Sequence, residues 1–254
     1  MMATFLGIDL AWRSDRNPSG AAVLRGDHHG AELVSVAEPL TSLEEVKRWV
    51  AAHIEGTSLV AIDAPLVITN STGQRPCERE VGRRYGARHA SCHTSNLSLY
   101  PDASSVQLAS WLHGQGFRHA SEHLTARTML EVYPHAAFVA LFDLPTVIKY
   151  KKGTVTAKCT GLTIVQSRLR SLALSEAPLK PNKALEVLLN QDPSALRGQL
   201  RKSYEDSLDA VFCAYLAYYL WRLGEAASEV FGNAEQGYIV NPRLRQQPGG
   251  AAAA

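Results

Sequence analysis

Little in this chain announces a covalent framework, a membrane span or a polyanion coat. Its four cysteines, Cys77, Cys92, Cys159 and Cys213, are scattered over 254 residues without a C-x-x-C pair. That excludes a disulfide scaffold and fits a reducing compartment. The longest apolar run, near Val211 to Leu220, is interrupted by tyrosines and is too short to cross a bilayer. Formal charge is nearly balanced at +2, which argues against a basic nucleic-acid coat but leaves room for a local basic patch. Residues 1–5 carry neither a basic region nor a long apolar segment, so no signal peptide is expected. The expectation is a cytoplasmic protein with no membrane partner and no obligate protein partner evident.

What is present is a regular alternation of short apolar runs and amphipathic stretches. Residues 4–10, 21–24 and 32–36 read as strands separated by turn chemistry at Asn17-Pro18-Ser19-Gly20 and Asp27-His28-His29-Gly30, a three-strand antiparallel meander. Gly7 inside the first strand predicts a close backbone approach. Residues 41–53 switch to helical spacing, with Thr41 or Ser42 as N-cap. Residues 59–62 form a continuous apolar run suited to a central parallel strand. Residues 69–127 read as an α-rich insertion, and 128–132 resume a strand. Pro134 then opens a helix ending near Phe142. Further helices are predicted at 162–174, 183–190 and 193–199. A long helix capped by Ser203 runs to Trp221, and a last short strand lies near 236–240. This order matches a ribonuclease-H-like α/β domain over residues 1–245: a mixed five-stranded sheet, the meander plus parallel strands, with helices on both faces. Residues 246–254 read as a disordered tail.

Carboxylates punctuate these elements. Asp9, Asp63 and Glu131 each end an apolar strand, where ligands gather in open α/β sheets. Asp206 and Asp209 sit near the head of the last long helix. Asp206 fits a capping box begun by Ser203. Asp209, one turn further, cannot serve that box, and an ionised carboxylate beside so apolar a helix needs a partner or a metal. Each strand-end acid also has a plain reading as turn or cap residue. Taken together they suit hard-oxygen coordination of Mg²⁺ or Mn²⁺ and in-line attack on a phosphodiester.

Gly7-Ile8-Asp9, Ala61-Ile62-Asp63-Ala64-Pro65, Arg75-Pro76-Cys77-Glu78-Arg79, Glu131-Val132-Tyr133-Pro134-His135 and Asp206-Ser207-Leu208-Asp209-Ala210, in that order, resemble the family called domain of unknown function 429, described as predicted ribonuclease-H-like nucleases. The resemblance runs from the first strand to the last helix. It implies a metal-dependent nuclease fold with Asp9, Asp63, Glu131, Asp206 and Asp209 as catalytic and metal residues. The D-x-x-D on the last helix is similar to the Holliday-junction resolvase branch. One departure is Ala11, where many superfamily members carry glycine, which implies a wider first hairpin.

Basic residues supply the candidate substrate contacts. Arg75, Arg79 and Arg83 fall near one helical stripe, and Lys149, Lys151 and Lys152 form a basic loop around Tyr150. Both read either as phosphate contacts or as solvated surface. Cys77, His89, Cys92 and His93 fit no common zinc spacing. His135, at a helix start near the acids, reads as a surface histidine or a proton shuttle. The expected activity is metal-dependent hydrolysis of a nucleic acid of unspecified type. Two competitors stand beside it: a non-catalytic ribonuclease-H-like binding or scaffold protein, and an actin-like phosphotransferase, for which a second glycine-rich hairpin is missing.

Overall fold

The computed structural model describes residues 1–12, 18–121 and 124–244. Strands β1 (Ala3–Asp9), β2 (Gly20–Asp27) and β3 (Gly30–Val36) form the antiparallel meander. Helix α1 (Leu43–His53) starts at Ser42, whose hydroxyl accepts the Glu45 N–H, while the Glu45 carboxylate accepts the Thr41 N–H. Strand β4 (Ser58–Ile62) then runs parallel to β1. Residues 69–127 supply helices α2 (Pro76–Tyr85) and α3 (Ser104–Gly114) and the two-residue strand β5 (Arg118–His119). Strand β6 (Arg127–Glu131) lies parallel to β4, and Pro134 opens α4 (Pro134–Leu141). The chain continues through α5 (Val155–Ser171), β7 (Leu179–Lys180), α6 (Lys183–Leu189), α7 (Gly198–Leu223) and the hairpin β8 (Ser228–Asn233) with β9 (Gly237–Pro242).

Among the described residues, seven strands rather than five make the main sheet, in the order β5-β6-β4-β1-β2-β3-β7. The two additions, β5 and β7, are edge strands of two residues each. Such pieces are too short to carry an alternation signal. Four of the six pairings are parallel, so the sheet is mixed. Three helix expectations also shift. Thr154 caps α5, which starts at Val155, earlier than the apolar spacing suggested. Residues 193–195 form a turn, not a helix. The long helix begins at Gly198, so Ser203 is an interior residue and not its cap. The turn at Asn17 and the tail from residue 246 lie outside the described residues. No described helix is long and apolar enough to cross a membrane.

Helices cover both faces of the sheet. The α1 and α3 side packs Leu6, Ile8, Val60, Ile62 and Met129 with Val46, Val50 and Leu108. The α7 side packs Phe5, Leu59, Ala61 and Leu130 with Val211, Phe212 and Phe138. Strand alternation therefore assigns the odd residues of β1 and β4 to the α7 face. Two glycines let α7 lie directly on that face. A Cβ on Gly7 would fall 2.0 Å from the Ala210 carbonyl and 2.1 Å from the Ala214 nitrogen. One on Gly20 would fall 2.4 Å from the Asp206 carbonyl. Gly20 pairs across the ladder with Asp9, so this close approach brings the acids of α7 to the end of β1.

Candidate functional site

Asp9 ends β1, and Asp63 follows β4 at the same level, its N–H donating to the Ile8 carbonyl at 2.9 Å. Both occupy odd positions and face α7. Asp209 and Asp206 come down onto them from α7, one turn apart and both buried. Into this group projects Lys151, from the loop before α5. Its Nζ lies 2.8 Å from Asp209 Oδ2 and 3.9 Å from Oδ2 of both Asp9 and Asp63. The neighbouring Tyr150 is fully buried and donates its hydroxyl to Asp209 Oδ1 at 2.8 Å. One loop thus holds both oxygens of a carboxylate that has no solvent exposure. Gly161 makes this possible: a Cβ there would fall 2.3 Å from the Lys149 carbonyl, so α5 presses on the loop backbone. Asp206 is paired on its own helix, with Lys202 one turn back.

The electrostatics are those of an acid cluster short of positive charge. Burial, then repulsion from Asp9 and Asp209 opposed by Lys151, pushes the Asp63 carboxyl well above its usual range. Burial and the nearby Asp9, opposed by Lys202, raise Asp206 to about 8. Burial works against the charge on Lys151, yet Asp209, Asp9 and Asp63 together hold its ammonium well above an ordinary lysine. Buried Asp9 Oδ2, Asp206 Oδ2 and Asp209 Oδ2 receive no hydrogen bond among the described residues, the last being held by Lys151 as an ion pair alone. Among the described residues, no group of three or more His, Cys, Asp or Glu side chains is arranged as it stands to hold a metal ion.

Glu131 does not join this row. Ile8, Ile62 and Glu131 stand side by side across β1, β4 and β6, so Asp9 and Asp63 align with Val132, one residue later. Glu131 consequently faces the other way. It accepts a forked pair from Arg75, at 2.9 and 2.5 Å, and the Leu66 N–H at 2.9 Å. Arg75 is buried as well, and its Nε donates to Glu78 Oε1 at 2.9 Å. Glu78 in turn caps the backbone of Arg75 and takes the Ser95 hydroxyl. The helical stripe read as a phosphate contact therefore loses its first member to an internal ion-pair network. Arg79 is exposed and donates to the Gln74 carbonyl, and Lys149 and Lys152 are exposed on the loop.

Asp9, Trp12, Asp63, Tyr133, His135 and Lys151 border one cavity of about 180 Å³, and Glu131 and Arg75 line it as well. His135 is half-buried rather than on the open surface. Its ring lies between Tyr133 and Tyr150, with centroids 5.6 and 5.3 Å away. Its buried Nδ1 has no hydrogen-bond partner among the described residues. Burial and the Lys151 charge depress its pKa to about 3, which keeps the imidazole neutral. Sequence reasoning missed the Tyr150 clamp, the Glu78–Arg75–Glu131 network and the Trp12 wall. Only the clustering of tyrosine, histidine and lysine within short motifs signalled any of them.

A family model described as "Protein of unknown function (DUF429)" matches residues 7–236. The chain belongs to that family. Its matched span runs from the strand bearing Asp9 through the helix bearing Asp206 and Asp209, so every acid of the cluster lies inside it. No curated protein and no solved structure matches the chain.

Proposed function

We propose that this chain is a divalent-metal-dependent hydrolase of phosphodiester bonds in nucleic acid, built on a ribonuclease-H-like core. The five longer strands of the sheet, β3-β2-β1-β4-β6 with β2 antiparallel, support the fold reading. One observation carries the functional reading. Carboxylates from β1, from the end of β4 and from α7 surround a single cation, the Lys151 ammonium, at 2.8 to 3.9 Å. Their donors are hard oxygens of the kind Mg²⁺ and Mn²⁺ take. Among the described residues Asp9 Oδ2 and Asp206 Oδ2 receive no hydrogen bond, and the Asp63 and Asp206 carboxyls are raised first by burial and then by neighbouring acids, which supports a site with room for a further cation.

Asp9, Asp63 and Asp209, with Asp206 beside them, are the residues that would hold the ion. When bound, such an ion supplies an acidified water and charge stabilisation at phosphorus. Lys149 and Lys152, exposed on the loop that carries Lys151, would draw the phosphate backbone to the cavity mouth. Neutral His135 offers an acceptor nitrogen to a substrate or water proton without adding charge.

The test is a panel of labelled single-stranded, duplex, hybrid and branched nucleic acids incubated with Mn²⁺. Cleavage that is abolished by EDTA, and reduced at least a hundredfold in Asp9→Asn and Asp209→Asn, supports the proposal. Cleavage that survives in both variants, or none with any substrate, refutes it. The second reading, a non-catalytic binding module, draws on the same ammonium, because Lys151 already gives the cluster a counter-ion. It predicts nucleic-acid binding without turnover and melting indifferent to Mn²⁺.

A further inference from the structure

We infer that Lys151 is an exchangeable counter-ion: its ammonium stands where a divalent ion would sit, and metal binding requires it to leave. This rests on the metal reading above and adds how the site is controlled. Three features separate Lys151 from the permanent ion pairs of the protein. It is a single ammonium shared by Asp9, Asp63 and Asp209, with only the Asp209 contact inside hydrogen-bond range. It comes from a loop, beside Gly153 at φ +111°, and its side chain is 27% exposed, so the stem has a path to solvent. It also borders the cavity through which an ion would enter.

The Arg75–Glu131 pair shows the contrast. There a planar guanidinium is fixed at both ends of its fork, with side-chain exposures of only 2% and 4%. Lys202 differs in another way, since its partners Glu205 and Asp206 lie on its own helix. A monovalent ammonium leaves the cluster under-neutralised, and a divalent ion bound by the same oxygens would neutralise it better. Because both cations need the same oxygens, the apparent metal affinity is reduced by the fraction of molecules in which the lysine is seated. Lysine thus keeps the metal-free site folded and sets the metal concentration at which it loads.

The experiment is calorimetric titration of Mn²⁺ into wild type, Lys151→Met and Lys151→Arg, all first stripped with EDTA and checked for folding by circular dichroism. The methionine variant keeps the stem and loses the charge. It should bind Mn²⁺ at least tenfold more tightly than wild type, and its melting temperature should be lower without metal and recover with it. Arginine, still cationic, should bind no more tightly than wild type. Affinity in the methionine variant equal to or weaker than wild type would overturn the exchange while leaving the metal site standing. Absence of Mn²⁺ binding in every folded protein would instead remove the metal reading and this inference with it.

A second measurement needs no variant. Amine acetylation of native protein, read by mass spectrometry, should increase several-fold at Lys151 when Mn²⁺ is added, with Lys152 as the exposed control. Unchanged or reduced labelling at Lys151 in metal-bound protein contradicts displacement.

Discussion

Removing the Arg75 guanidinium should damage stability far more than any surface arginine would. In Arg75→Met, buried Glu131 keeps only the Leu66 N–H and loses both forked donors, and Glu78 loses the Nε donor. Burial already pushes the Glu131 carboxyl upward against the pull of Arg75, so without the arginine it must bury an unpaired charge or take up a proton. Breaking one side of such a pair costs about 3–5 kcal/mol. With a urea slope of about 3 kcal/mol/M, the unfolding midpoint should fall by roughly 1–1.7 M. The double variant Arg75→Met with Glu131→Gln removes the stranded charge and should regain part of that loss. A midpoint within about 0.3 M of wild type, together with weakened nucleic-acid binding, would refute the internal role and return Arg75 to the substrate surface.

Two further predictions probe how the acids are assembled. Gly7→Ala puts a methyl group on the backbone of Ala210 and Ala214. It should cost at least about 1–3 kcal/mol and weaken any Mn²⁺ stabilisation, because α7 carries Asp209 away from Asp9. Gly82→Ala, inside α2 with only Ser91 Oγ at 3.9 Å, should instead gain about 0.5–1 kcal/mol in the same thermal melts; equal effects at the two glycines would contradict the packing argument. The third concerns pH in EDTA. Asp206 keeps its proton to about 8 in the folded chain and to 3.8 in the unfolded one. The native state therefore binds the extra proton, and stability falls as pH rises through that window, by up to about 1.4 kcal/mol per unit. Neutral His135, depressed to about 3 from 6.5, acts oppositely but only below 6.5. Melting temperature should thus decline between pH 6.5 and 8, less steeply in Asp206→Asn; a flat or rising profile in wild type would contradict the buried-acid reading.

The strand-end acids were legible because alternation and turn chemistry mark where Asp9 and Asp63 stop their strands, and Gly7 signalled a close backbone approach without saying to what. Glu131 lines the same cavity but stands outside the Asp9–Asp63 row, for a reason sequence cannot display. Register across β4 and β6 sets it one residue short of the Asp9–Asp63 row, and one residue reverses a strand side chain. Ser203 imitated a helix cap because its local pattern is that of a capping box, whereas the helix begins at Gly198 through a largely exposed first turn. The edge strands β5 and β7 depend on neighbours for their hydrogen bonds and carry no periodic signal of their own. Lys151 stood out only as one of several loop lysines. Its singular position depends on which side of the loop faces α7.

Diffraction from crystals soaked in Mn²⁺, recorded for anomalous signal, tests the central claim most directly. An anomalous peak is expected within bounds set by Asp9, Asp63 and Asp209, with the Lys151 ammonium withdrawn from Asp209. Loaded crystals that show no peak there, and the lysine still seated among the three carboxylates, would contradict it.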